Sequence, residues 1–375
     1  MNDAPPPSVS RVPFSSVVGR LELELRDLWA PPAPGEPLRS RACTMNLVVV
    51  TSSLAVAERY TPVVDEVTQA IPCRAIVVTM TPSSTETSLD GKVSAVCGVD
   101  NMACSERVSI HASGAACPRV ASVVDTLMVP ELPTTLVWLA RLHMGDPVFL
   151  ELAADSQRVV LDTDYTSLSS LLALSKWARE GRSTVAVADL AWTRIAVWQD
   201  MCARFFDDEA MQPLAQGVES LRIVQMSDTG ARLGAEAALL LGWLASRLGW
   251  RLEPLGGSLR FRRADGKAVS VDLGATPPHA RVAPLAIASV SMRASAGGIT
   301  AAGTVTRDFD GDVADVLRYK LDVNLPCSGE QTIRLGPNTG ARVLERTLHR
   351  PMHDEALAAA VAFAEKLDDD GATCT

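Results

Sequence analysis

Asn46-Leu47-Val48-Val49-Val50-Thr51 is a largely β-branched run closed by Ser52-Ser53. After it Val56, Tyr60, Val63, Val64 and Val67 recur at helical spacing, and 75–80 form a second apolar run. Strand, amphipathic helix, strand is a β-α-β unit, the crossover that two parallel strands need. Within it Pro62 is expected to kink or start the helix and Pro72 to end it, because a proline nitrogen has no hydrogen for the ladder.

Outward from this unit, 92–98 and 107–112 alternate like antiparallel strands, and Pro118 suits the first turn of a helix over 119–128. The alternation continues through 134–139, 148–154, 158–161 and 167–180. It predicts an α/β domain over 45–205 with an open, largely parallel sheet. A helix over 191–206, with Ile195, Trp198, Cys202 and Phe205 on one stripe, leads out of it. Upstream, eight of the 23 prolines fall in the first 37 residues. Residues 1–44 therefore read as a proline-rich arm with one docking helix, 15–29, whose stripe is Val18, Leu21, Leu25 and Leu28.

Downstream the pattern changes. A strand over 220–226 precedes a helix over 230–248 with Leu233, Ala237, Leu240, Leu241, Leu244 and Leu248 in register, stopped by Gly249. Asp265-Gly266 marks a hairpin between 258–263 and 267–273. Strands near 286–293, 299–306, 316–323 and 331–335 and helices over 339–348 and 355–367 complete an α+β domain, 215–367, with antiparallel strands and a tail, 368–375.

With 47% apolar and 21% charged residues in a chain of 375, global disorder is excluded. A net charge of −9 repels a phosphate backbone, so nucleic acid is not an expected partner. No apolar stretch reaches the 18 or so residues that span lipid, so no membrane partner is expected either. The first residues lack the basic and apolar regions of a secretory signal, and the expected location is cytoplasmic. Eight scattered cysteines are too sparse for a disulfide scaffold and are expected to remain thiols.

Catalytic signatures are missing: Walker A, G-x-S-x-G, H-E-x-x-H and paired C-x-x-C motifs do not occur, and no G-x-G-x-x-G follows the first strand. The crossover 51–55 has no glycine, so a pyrophosphate cannot approach the backbone and no nucleotide cofactor is expected. Cys97, Cys104, His111 and Cys117 lack the short chelating pairs of zinc sites and read as buried strand residues. Asp162 and Asp164 stand at the carboxyl end of a strand, where open sheets place ligands, and suit a sugar hydroxyl or a cation. The plainer role is that Asp164 or Thr166 caps the next helix. Arg260, Arg262 and Arg263 suit a phosphate or an acidic partner surface, or simply a charged hairpin edge. Trp192, Trp198, Trp243 and Trp250 are either core or interface anchors.

Asp189-Leu190-Ala191-Trp192-Thr193-Arg194 with Trp198, and Gly242-Trp243-Leu244-Ala245-Ser246-Arg247-Leu248-Gly249-Trp250, resemble segments of the glucose-6-phosphate dehydrogenase assembly protein OpcA family. Asn46–Val50, Cys104-Ser105-Glu106, Pro130-Glu131-Leu132-Pro133 and the strand ending at Asp162 match in the same order, so the resemblance runs from about 15 to 250. It departs at Ile71-Pro72-Cys73-Arg74, where the family often has a His-Pro-Ser-Arg type segment. Membership implies a non-catalytic cytoplasmic protein, an allosteric activator that binds glucose-6-phosphate dehydrogenase and favours its active oligomer. NADPH production by the oxidative pentose phosphate pathway is then the output, and the NADP site is the partner's. On this reading Trp192, Arg194, Trp198, Arg260 and Arg262 are the partner-binding candidates. Trp192 and Arg194 lie about 200° apart on a helix. With Trp192 and Trp198 packed inside, Arg194 is expected to point outward and offer its fork to a carboxylate of the partner, or to pair with a local acid such as Asp189. The competing reading is a sugar-phosphate-binding enzyme or metabolite sensor, with a crevice at Asp162 and Asp164 and Arg260 or Arg262 holding the phosphate.

Overall fold

The computed structural model describes residues 14–30, 40–98, 103–182, 184–228, 233–255, 258–280, 282–310, 314–325, 328–335 and 339–369. Most of the proline-rich arm and the tail from 370 lie outside the described residues. By compactness the chain divides into Met1–Val159 and Val160–Thr375.

The first unit runs α1 (Phe14–Asp27), β1 (Ser40–Arg41), β2 (Asn46–Thr51), α2 (Leu54–Ala70), β3 (Arg74–Thr81), β4 (Ser88–Cys97), β5 (Ala103–Ser113), α3 (Val120–Leu127), β6 (Thr134–Leu139), α4 (Pro147–Ala154) and β7 (Arg158–Leu161), in which the boundary falls. β2 pairs in parallel with β3 and β6, and β5 in parallel with β1 and β3; β4 joins antiparallel, as a hairpin with β5. Every residue of β2 is buried, as expected of a strand covered on both faces. Ser53 caps α2 by accepting from the Val56 amide at 3.3 Å. Pro62 neither starts nor ends α2; it lies inside the helix on its exposed side, and the helix stops at Ala70, two residues before Pro72.

The docking helix forms as α1, with its stripe displaced: Val17, Leu21 and Leu25 are buried, whereas Val18 and Leu28 are only half-buried. A spacing of four keeps those three on the side that meets β4, where Leu21 packs over Gly91 and Arg20 reaches Asp90 at 2.7 Å. The thiol expectation fails at one pair. The β4–β5 register sets Cys97 directly opposite Cys104, and the two form a disulfide. Two of the four zinc-ligand candidates are thereby consumed.

The second unit continues with α5 (Leu168–Trp177), β8 (Ala186–Asp189), α6 (Leu190–Arg194), α7 (Ala196–Ala203), β9 (Val218–Met226), α8 (Ala235–Arg247), β10 (Arg251–Leu255), β11 (Ser258–Arg262), β12 (Ala268–Thr276), β13 (Ile287–Ala296), β14 (Ile299–Asp310), β15 (Ala314–Val323), β16 (Gly329–Arg334), α9 (Gly340–His349) and α10 (Glu355–Asp369). β8 closes the parallel sheet, whose order is β1-β5-β3-β2-β6-β7-β8 with β4 on β5. The other sheet has the order β10-β11-β12-β9-β13-β14-β15-β16. Its pairs are antiparallel except β9 with β12, which run parallel, so it is mixed rather than a simple meander. Gly266, at φ 80°, makes the turn between β11 and β12. The helix expected over 191–206 breaks at Ile195 into α6 and α7, followed by a 3₁₀ turn, Arg204–Phe206. No described helix is long and apolar enough to cross a membrane.

α8 is buried on almost every side because α10 lies against it. The closest approach is at Gly242, where an added Cβ would stand 2.4 Å from the Ala360 carbonyl oxygen. A backbone atom cannot rotate away, so Gly242→Ala must force the helices apart. The expected cost is about 1–3 kcal/mol, read as a melting temperature several degrees lower. A melt identical to the wild type would show that the helices separate freely.

Candidate functional site

The carboxyl ends of β7 and β8 meet at a cluster of charge inside the second unit. Asp162 follows β7 and folds the chain back on itself: its carbonyl accepts from the Tyr165 and Thr166 amides at 2.8 and 2.9 Å. Asp189 ends β8 and caps α6, its Oδ1 accepting from the Ala191 and Trp192 amides at 2.8 and 3.3 Å and from the Thr163 hydroxyl at 3.2 Å. α6 then brings Arg194 back over the crevice. Its Nη2 lies 2.9 Å from Asp162 and 3.0 Å from Asp164, and its Nε 3.1 Å from Glu236 at the start of α8. The second oxygen of Glu236 accepts from the Ile287 amide at 3.3 Å.

Arg194 therefore does not point outward, and it does not pair with Asp189. Helical geometry does place Trp192 and Arg194 on different sides of α6, but acidic residues cover the second side. Burial works against the guanidinium charge, and Asp162, Asp164 and Glu236 outweigh it, holding the group protonated beyond the ordinary arginine range. Asp189 is pushed the other way: burial first, then the charge of Asp162, raise its pKa to about 7. Its Oδ2 has no hydrogen-bond partner among the described residues. Asp162 and Asp164 are thus engaged by Arg194, and Ser167 caps α5 in place of Asp164 or Thr166, accepting from the Ser170 amide at 3.2 Å. Glu236 was legible only as the single acid heading an apolar run.

Three of the four tryptophans take the core role rather than that of an exposed interface anchor. Trp192, Trp198 and Trp250 are buried and Trp243 is half-buried. Trp192 donates from Nε1 to Asp354 at 2.8 Å, and the Arg350 guanidinium stands 5.8 Å from its ring centre. Thr193 and Thr347 join hydroxyls at 2.7 Å, so α6 is tied to α9 as well. Trp250 and Phe363 both flank Phe261, with ring centres at 6.2 and 5.9 Å. Of the hairpin arginines, Arg260 is exposed, Arg262 pairs with Glu253 at 2.6 Å, and Arg263 is buried on Asp265 and the Val218 carbonyl.

The motif segments of the first unit are also structural. Ser105 accepts from the Cys73 amide at 3.1 Å and donates to the Thr68 carbonyl at 3.0 Å. Buried Glu106 gathers Arg74 at 2.6 Å, Arg41 at 2.9 Å and the indole of Trp29 at 2.5 Å. Burial pushes the Cys73 and Cys202 thiols up to about 12, so neither supplies a thiolate near neutrality.

Residues 64–176 match a family model described as the glucose-6-phosphate dehydrogenase subunit N-terminal domain, and 185–361 match the corresponding C-terminal domain. A curated relative, the putative OxPP cycle protein OpcA of Nostoc punctiforme, is 29% identical over 196 residues, 50% of this chain and 40% of that protein. The protein of the same name from Synechococcus elongatus is 29% identical over 222 residues, 55% of this chain and 48% of that one. The match thus spans less than half the length of these relatives. Among solved structures, an oxidoreductase from Sinorhizobium meliloti aligns over 88% of this chain and 94% of its own, at 13% identity and a TM-score of 0.45.

Proposed function

Because the chain belongs to the OpcA family, we infer that it serves glucose-6-phosphate dehydrogenase as a non-catalytic assembly partner, promoting the enzyme's active oligomer and so the oxidative pentose phosphate cycle. The observation that carries this reading is the match, in order, to both domains of that family. Two features of the molecule support it. The β2-to-α2 crossover, residues 51–55, has no glycine and begins α2 with Ser53, leaving the backbone unsuited to hold a pyrophosphate. The carboxylates at the end of β7 neutralise Arg194 and are not free to act as acid and base on a sugar.

The full chain alone is expected to show no dehydrogenase activity. Added to its cognate glucose-6-phosphate dehydrogenase, it is expected to raise kcat or lower KM and to shift the native mass of the enzyme. A titration that leaves kcat, KM and mass unchanged would sink the reading.

A further inference from the structure

α9 divides sharply into two sides. Ala341, Val343, Leu344 and Thr347 are buried, while Arg342, Arg346 and His349 stand exposed at successive turns, with Arg350 just beyond. Arg342, Arg346 and Arg350, with Glu345, His349 and Pro351, line an open cleft of about 730 Å3. Arg350 is taken by Asp354 at 2.7 Å, whereas Arg342 and Arg346 have no ion pair among the described residues. On a chain of net charge −9 such a ridge is a local reversal of sign, and it attracts carboxylates.

The ridge runs into an apolar notch. Met352 is 43% exposed and borders a second pocket of about 300 Å3 walled by Ala178, Val185, Val187, Leu357 and Val361. The turn that joins ridge to notch is fixed from beneath. Asp354 accepts from the Trp192 indole at 2.8 Å and from Arg350 at 2.7 Å, and its other oxygen caps α10 by accepting from the Leu357 amide at 3.0 Å. A rigid apolar notch with charges at its rim is the anatomy of a protein interface, and methionine and arginine are enriched at such places.

We propose that the α9 ridge and the Met352 notch are one docking surface for an acidic segment of the dehydrogenase, its carboxylates on Arg342 and Arg346 and one apolar side chain in the notch. This rests on the activator reading and adds the surface and the chemistry of the partner. Trp192 then acts as a positioning residue, holding the 350–354 turn while touching no partner atom. Rim charges govern encounter and the apolar anchor governs release.

The test is the affinity of the full chain for its cognate glucose-6-phosphate dehydrogenase at low and high salt, with the melting of each variant measured alongside. Arg342→Glu/Arg346→Glu is expected to weaken binding about 10-fold or more, slow association and flatten the salt dependence. Met352→Asp is expected to speed dissociation, and Arg141→Glu, an exposed arginine after β6, to bind as the wild type does. If the double reversal disturbs α9, Arg342→Gln/Arg346→Gln keeps the test, with a smaller loss expected. Wild-type affinity in both α9 pairs would overturn the surface and leave the activator reading standing. An equal loss in Arg141→Glu would also overturn it, by showing that overall charge alone decides binding. If the wild-type chain forms no complex, both readings fail.

Discussion

Arg194→Ala is expected to destabilise the second unit by about 3–5 kcal/mol, because removing one member of a buried ion cluster leaves the others uncompensated. Asp162, Asp164 and Glu236 all turn toward that one guanidinium, and Asp162 and Glu236 are themselves buried. For a unit of this size the loss amounts to a melting temperature lower by about 10 °C or more. Arg194→Lys is expected to recover only part of it, since an ammonium cannot reproduce the fork that reaches Glu236 through Nε and the two aspartates through Nη2. Thermal melts of both variants check the claim. If Arg194→Ala melted with the wild type and merely lost the dehydrogenase, the arginine would be a contact residue after all.

Asp189→Asn is expected to change how stability depends on pH, and in the stabilising direction. The folded chain holds the Asp189 proton up to about pH 7. An unfolded aspartate releases it near pH 4. Between these values the folded state binds the extra proton, so its stability falls as pH rises through the window and is flat beyond it. Three pH units correspond to at most about 4 kcal/mol. Asparagine keeps the oxygen that accepts from Ala191 and Trp192, and it has no charge to desolvate. The variant is therefore expected to melt with the wild type at pH 4 and well above it at pH 8. The difference between the two melts isolates Asp189 from the other carboxylates, and parallel pH profiles would refute the assignment.

What the sequence made legible was whatever is decided locally or by burial on both faces. The β-branched run of β2 and the valines of α2 announce the parallel sheet, and Asp265-Gly266 announces the turn before β12. Less visible were pairings that depend on register or on distant chain. Nothing near Cys97 predicts that β5 will set Cys104 opposite it across the hairpin. The parallel alignment of β9 with β12 joins Leu221 to Val271, with α8 and two strands between them in sequence. At the site, helical spacing correctly separated Trp192 from Arg194. It supplied only one core to choose from, and the acids that receive Arg194 come from the end of β7 and from the head of α8. The α9 ridge had a usable signal in Arg342, Arg346, His349 and Arg350 at spacings of four, three and one, which marks one side of a helix as basic.

The place of β9 in its sheet also bears on how the chain is made. β9 leaves the ribosome before either of its neighbours: Leu221 waits for Val271 on one flank and for Met292 on the other. α8, apolar nearly all round, emerges in that interval, well before Ala360 of α10 exists to cover Gly242. Pairings this far apart in sequence close slowly, and uncovered apolar helices and strand edges are what nascent chains aggregate through. Between about residues 226 and 292 of synthesis, therefore, both edges of β9 and the apolar surface of α8 stand uncovered on the nascent chain.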